Sequence, residues 1–188
     1  VPRVLINGIG IAQAGGSRSY IKNVLAELGK DDRGFRFALL SFPGQFDDTD
    51  MGGVDIEFVQ LPQHVPGSSG TAWRVLYEEI ALPFRARRFD ALYCQGDLSP
   101  AFGWTPTAVL LRNMNIYDRR WYPGIRTETL ARLVRLGVRR AAAVLFPTHS
   151  AASEVPKLMR IPQERVRVVP HRIELEAFTE VRAEPGRA

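Results

Sequence analysis

Cysteine is nearly missing from this chain. Cys94 is the sole one in 188 residues, which rules out an intrachain disulfide and argues against a cysteine-based zinc site. Histidine is almost as scarce: His64, His149 and His171 lie too far apart in sequence to suggest a metal constellation. No Ser-His-Asp or Cys-His pattern accompanies them. Long apolar runs are absent as well; nothing approaches the roughly 18 apolar residues of a membrane span, and no charged-then-apolar segment reads as a secretory signal. The common nucleotide fingerprints fail. G-x-G-x-x-G begun at Gly8 needs glycine where Gln13 stands, and G-x-x-x-x-G-K-[ST] has no match, which disfavours a dinucleotide oxidoreductase. Lysine occurs only at Lys22, Lys30 and Lys157, so the net charge of +5 is carried by arginine. Arginine's planar fork suits carboxylate and phosphate partners, with a compositional bias of the genome as the plain alternative. No binding motif or base-stacking array turns that charge into a nucleic-acid site.

What is present is an ordinary globular composition, 45% hydrophobic and 24% charged, long enough for one well-buried core. A cytoplasmic home is the default expectation. The start at Val1 and the polar Glu184-Pro185-Gly186-Arg187-Ala188 tail suggest a piece of a longer protein. The chain is organised around Arg3 to Leu28. Val4-Leu5-Ile6 has the continuous apolar character of a strand buried on both faces. A loop carrying Gly8, Gly10, Gly15 and Gly16 follows, and then Ile21, Val24, Leu25 and Leu28 recur on one helix face. Ser17 or Ser19 can cap that helix and Gly29 can end it. Glycines admit a ligand close to the backbone, and a helix start offers N–H groups to an anion; a simple connecting turn is the other reading.

The remaining strands are expected at Phe35–Leu40, Val54–Leu61, Phe89–Cys94, Thr107–Leu111, Ala142–Phe146 and Arg165–Val169. Val54–Leu61 alternates apolar and acidic residues, as an edge strand with one wet face does. A long helix starts near Thr71, with Trp73, Leu76, Tyr77, Ile80 and Phe84 as its apolar stripe and Pro83 kinking or ending it. Further helices are expected over Thr127–Arg140 and Thr148–Met159, the latter capped most simply by Ser150. This alternation implies an α/β fold: a Rossmann-like, doubly wound, mostly parallel sheet of about seven strands with helices on both faces. Ligands in such sheets bind outside the carboxyl ends of the strands. The tips of interest are Gly8–Ser19, Gln95–Ser99, Arg112–Tyr117 and Thr148–Ser150.

Three strings carry a family resemblance. Gly15-Gly16-Ser17-Arg18-Ser19-Tyr20 follows the first strand; Leu82-Pro83 leads into Arg88-Phe89-Asp90-Ala91-Leu92; and Arg140 to Glu154 is followed by Ile161 to Pro170. In order and spacing, over nearly the whole chain, they resemble the N-terminal half of a family 4 GT-B glycosyltransferase. The resemblance implies transfer of a sugar from a nucleotide diphosphate sugar, with retention at the anomeric carbon, to a glycan, lipid-linked or small-molecule acceptor. It implies no resident cofactor and no metal, the nucleotide sugar being a co-substrate. In that family the N-terminal domain mainly holds the acceptor, and a C-terminal domain holds the donor and carries an acidic E-x7-E motif. Residues 1–178 would be the N-terminal domain and 179–188 the start of a linker or tail, with the donor domain absent, so the fragment alone is expected to be inactive. A non-catalytic Rossmann-like binding domain or partner subunit is the alternative of another class.

On this reading Gly15 and Gly16 bring N–H groups to the donor phosphates or sugar, with Ser17 beside them, and Arg18 pairs with a phosphate. Arg112 and Asn113 contact the sugar; Asn113 stands where many relatives have a histidine and cannot act as a base near neutral pH. Asp97 or Asp118 orients an acceptor hydroxyl. The blander alternatives are a turn for the glycines and Asn113, a solvated side chain for Arg18, and a loop or capping role for each acid. No catalytic base can be named. His171-Arg172 replace the family's Asn-Gly after the last strand. Arg132, Arg135 and Arg139 share one helix face, either a solvated one or a peripheral contact to anionic lipid on the inner membrane face.

Overall fold

Each strand expectation carries a physical demand: a parallel strand with two apolar faces must be covered on both sides. The computed structural model, which describes residues 1–11, 16–28, 34–46, 56–61, 70–112 and 125–171, meets that demand in one sheet. Its strands are β1 (Arg3–Asn7), β2 (Arg36–Ser41), β3 (Ile56–Gln60), β4 (Ala91–Cys94), β5 (Thr107–Leu110), β6 (Ala143–Phe146) and β7 (Val166–Val168). They lie in the order β3-β2-β1-β4-β5-β6-β7. Every neighbouring pair is parallel. β3 is the edge that its alternating sequence foretold, and none of its five residues is fully buried. The chain is therefore a Rossmann-like α/β domain.

The helices are α1 (Gly16–Leu28), α2 (Gly70–Leu76), α3 (Leu82–Ala86), α4 (Ile125–Arg140) and α5 (His149–Met159). Among the described residues none is long and apolar enough to cross a membrane. On one face of the sheet Ile21 and Leu25 of α1 pack with Ile6 and Leu39. On the other, Leu82, Val134, Val138, Val155 and Met159 pack with Leu5, Leu92, Val109 and Val144. Strand order reverses beside β1, since α1 leads leftward to β2 while β3 returns across it to β4. That reversal parts the loops above β1 and β4 and opens a crevice there.

Two local expectations need correcting. The segment between α2 and α3, Tyr77–Ala81, is a π-helical turn in which the Leu82 N–H reaches back to the Tyr77 carbonyl. Pro83 explains it: a proline lacks the N–H and its ring collides with the carbonyl four residues back, so the ladder widens by one residue and continues. Only part of the stripe expected to face the core does so: Trp73 and Tyr77 pack against it. Leu76, Ile80 and Phe84 are 57%, 51% and 53% exposed, whereas Glu78 is 1% exposed. The inward line runs instead through Glu78, Leu82 and Ala86, a line that apolar periodicity overlooks because it contains an acid and a small residue. At α5 the cap is Thr148, whose Oγ1 accepts the Ala151 N–H at 3.1 Å; Ser150 is already inside the helix. A residue placed two positions earlier has the extended φ/ψ that capping requires.

Candidate functional site

The crevice above β1 and β4 is lined by Asn7, Gly10, Ile11, Arg74, Glu78, Gln95, Gly96 and Arg112. Asn7 ends the apolar run of β1 and is 5% exposed, so its amide must find partners inside the protein. Its Nδ2 donates to Glu78 Oε1 at 2.7 Å, and its Oδ1 accepts the Ile9 N–H at 3.2 Å. Glu78 Oε2 accepts from Arg74 Nε at 3.0 Å, one helical turn earlier. The carboxylate is thus held on both oxygens. Burial nonetheless lifts its pKa above the ordinary value, against the pull of Arg74 and the hydrogen bonds from Asn7 and Arg74.

Fixed at Nε, the Arg74 side chain extends between two glycine tips. A Cβ on Gly10 would sit 2.5 Å from Arg74 Nη2, and one on Gly96 would sit 3.4 Å from it. Gln95 closes the floor. It is 2% exposed, and both its Nε2 and its Oε1 are buried with no partner.

Arg112 forms the far wall. Its backbone N–H donates to Asp97 Oδ1 at 2.6 Å, its Nη2 donates to Ser17 Oγ at 3.1 Å, and its guanidinium lies 5.6 Å from the centre of the Tyr20 ring. Its Nε is buried without a partner. Tyr20 and Tyr93 share a hydroxyl hydrogen bond of 2.7 Å, and burial raises both phenols, so both stay protonated at neutral pH. The His171 ring rests 4.6 Å from Tyr20; burial, then the Arg112 charge, lowers its pKa.

The structure brings some of the expected residues together and separates others. Arg112 and Ser17 meet at the crevice. Gly16 opens α1, and apart from its chain neighbours and its own helix no atom of the described residues stands within 4 Å of where its side chain would be. Asp97 is a linchpin between strand tips: it sits at φ 64°, its N–H donates to the Leu110 carbonyl, and its carboxylate holds the Arg112 backbone. Arg18 turns toward the loop after β2, donating from Nη1 to the Gln45 carbonyl at 2.7 Å and lying over the Phe46 ring. Gly15, Asn113 and Asp118 lie outside the described residues. Arg132, Arg135 and Arg139 are exposed along α4. Sequence reasoning did not single out Asn7, Arg74, Glu78 and Gln95. The signals available were a polar residue ending each of two apolar strands, and an Arg–Glu pair at i,i+4 inside an otherwise apolar helix.

Among the described residues the crevice offers two guanidinium groups and one unpaired amide, with its one carboxylate, Glu78, engaged beneath. Guanidinium groups of this kind suit oxygen-rich, anionic partners. Fold and site together define a Rossmann-like domain of GT-B type, open at the carboxyl ends of its strands. The chain belongs to the glycosyl transferase 4-like domain family, whose model matches residues 15–171. No curated protein matches it in sequence. Solved structures resemble it at low identity. A ugt transferase from Siraitia grosvenorii in complex with UDP superposes with TM-score 0.60 at 13% identity, over 96% of this chain and 53% of that one. Phytolacca americana apo UGT2 gives 0.55 at 11% identity, over 98% and 55%. The S. aureus MnaA–UDP co-structure gives 0.52 at 17% identity, over 89% and 43%. The chain thus spans about half the length of the structures it resembles.

Proposed function

We propose that this chain is the acceptor-side half of a retaining glycosyltransferase, which moves a hexose-type sugar from a nucleotide diphosphate sugar to a glycan, lipid-linked or small-molecule acceptor. A second, donor-holding domain completes the enzyme, which works in the cytoplasm, at or near the inner membrane face, without a resident cofactor. The observation that carries this reading is the cationic crevice at the β1/β4 reversal, in a chain of this family that spans half of its structural neighbours. The neighbours crystallised with UDP fit the same picture. Closure of the two halves sets the anomeric carbon against an acceptor hydroxyl, while N–H groups at the start of α1 and cations of both halves stabilise the leaving diphosphate. Among the described residues the crevice holds no disengaged carboxylate to serve as a base.

The test is calorimetric titration of the longest product of the gene with UDP-, GDP- and TDP-sugars, beside the same titration of these 188 residues. Micromolar binding by the long form and none by the fragment supports the half-enzyme. Saturable binding by the fragment alone, lost in Gly16→Val, would place the nucleotide site here and refute the division of labour. A gene ending near Ala188 would favour a non-catalytic binding domain.

A further inference from the structure

A folded chain exposes single apolar side chains at little cost, but a cluster of large ones marks a surface that something covers. Five of the ten large apolar side chains most exposed among the described residues belong to the α2–α3 segment and the loop between β4 and β5. Leu76, Ile80 and Phe84 recur at four-residue intervals, each more than half exposed, and Phe102 and Trp104 are 41% and 57% exposed. The rings of Phe84, Phe102 and Trp104 form a triangle, with centres 5.5, 6.1 and 6.4 Å apart. Gly103 keeps the triangle together. Its φ is 144°, and a Cβ on it would lie 3.4 Å from Pro83 Cβ, so the loop backbone rests against α3 while the aromatics on either side stand in solvent.

Arginine surrounds this cluster. The Arg87 guanidinium lies 4.4 Å from the centre of the Trp104 ring. Phe84 also forms one wall of an open groove of about 560 Å³, whose other walls include Arg3, Arg85, Arg88 and Phe89. The acids nearby are engaged. Arg3 pairs with Glu57 at 2.7 Å and donates its backbone N–H to Asp90 Oδ2 at 2.7 Å. Glu79 accepts the Ala101 N–H at 2.9 Å, and burial raises its pKa. Arg85, Arg87 and Arg88 have no carboxylate partner among the described residues. The surface therefore sets apolar rings beside uncompensated positive charge.

That charge selects the occupant. A second copy of this chain docking through the same patch would set arginines against arginines. A bilayer bearing anionic lipid offers negative charge at its surface and an apolar layer just beneath, which projecting rings flanked by guanidinium groups match. The groove beside them has the volume of a small-molecule site, roughly 300–1,000 Å³, and can take a headgroup phosphate on Arg85 and Arg88. We propose that this face docks the domain on an anionic membrane surface, with Phe84 and Trp104 as its anchors and Arg85, Arg87 and Arg88 as its charge. This rests on the reading above that sets the enzyme at the inner membrane face, and it assigns that contact to α3 and its neighbouring loop instead of the arginines of α4.

The experiment is flotation of the 188-residue chain, and of the longest product of the gene, with vesicles of phosphatidylcholine alone and of phosphatidylcholine mixed equally with phosphatidylglycerol. Both proteins should float with the anionic vesicles only, and less as salt rises. Phe84→Ser/Trp104→Ser should weaken binding about 10- to 100-fold. Arg85→Gln/Arg88→Gln should weaken it about 30-fold, at roughly fivefold per cation. Arg132→Gln/Arg135→Gln/Arg139→Gln should leave it unchanged, and thermal unfolding reports whether each variant is folded. Binding that the α4 variant loses and the other two keep overturns the proposal. Flotation by the 188 residues but not by the long product means that the rest of the chain covers the patch, which also overturns it. So does an absence of flotation, and a concentration-dependent dimer abolished by Trp104→Ser would then assign the patch to a second copy. The two readings fail separately. Vesicle binding that persists while the full gene product transfers nothing from any nucleotide sugar removes the glycosyltransferase reading alone. Transfer by a product that binds no vesicle removes only the membrane face.

Discussion

Gly137 stands in the interior of α4, where glycine costs about 1 kcal/mol relative to alanine. The reason is the loop after β4. A Cβ built on Gly137 would lie 2.1 Å from the Ser99 carbonyl oxygen, 2.6 Å from its Oγ and 3.0 Å from its carbonyl carbon. Carbon and oxygen meet comfortably at about 3.3 Å, so Gly137→Ala forces helix and loop apart by about 1.2 Å. Overpacking of this kind costs about 1–3 kcal/mol, and because backbone is the obstacle the upper end applies. Subtracting the helix gain leaves about 2 kcal/mol of destabilisation, or about 4–8 °C in Tm for a domain of this size. The effect should reach the crevice, because Asp97, two residues before Ser99, holds the Arg112 backbone. Thermal unfolding measures the first effect and the amide shift of Arg112 the second. Gly16→Ala, with nothing within 4 Å of the new methyl, is the control and should leave Tm unchanged or raise it. An unchanged or higher Tm for Gly137→Ala would refute the argument.

Three further outcomes are expected. Because burial holds Glu78 above its ordinary 4.5, the folded chain keeps a proton that the unfolded chain has released between that value and the raised one, so this group costs stability as pH rises through the window. Urea unfolding at about pH 5 and about pH 8 should therefore show the wild type losing ground to Glu78→Gln at the higher pH; a wild type that gains ground contradicts it. Tyr20→Phe strands the Tyr93 hydroxyl and should cost about 1–2 kcal/mol, part of which the double variant Tyr20→Phe/Tyr93→Phe recovers; a double variant as unstable as the sum of its singles would speak against the pair. Thr148→Ala should cost about 1 kcal/mol and Ser150→Ala almost nothing, and chemical denaturation giving the reverse order would restore Ser150 as the cap.

The sheet was legible in the sequence because a doubly covered parallel strand advertises itself as an unbroken apolar run. Val4-Leu5-Ile6 and Ala143-Val144-Leu145-Phe146 each became a strand within a residue or two of its expected bounds. The acidic alternation of Asp55 and Glu57 announced the edge in the same way, because in a parallel sheet covered on both faces a strand with one wet side belongs at the margin. The helix through Pro83 misled for a related reason. Periodicity weighs a residue by its own hydrophobicity, and Glu78 is buried on the strength of partners that lie elsewhere in the chain.

That dependence separates the fold from the crevice in what a sequence reveals. Asn7 and Glu78 are 71 residues apart, and Arg112 and Ser17 are 95 apart. No local pattern encodes either meeting; each exists because parallel topology stacks the strand tips at one end. Sequence reasoning named strand tips and chose charged residues, glycines and a serine at them, and of these Arg112 and Ser17 meet in the folded chain. Within the tip Gln95–Ser99 it chose Asp97 and not Gln95, whose amide is buried with nothing to bond. A strand-tip amide attracts no attention as a residue type, but a desolvated one with two unmet hydrogen-bonding atoms is costly unless a water or other group supplies them. The information about such a group therefore lies in what the folded chain leaves unsatisfied, a property of its packing that no stretch of sequence displays.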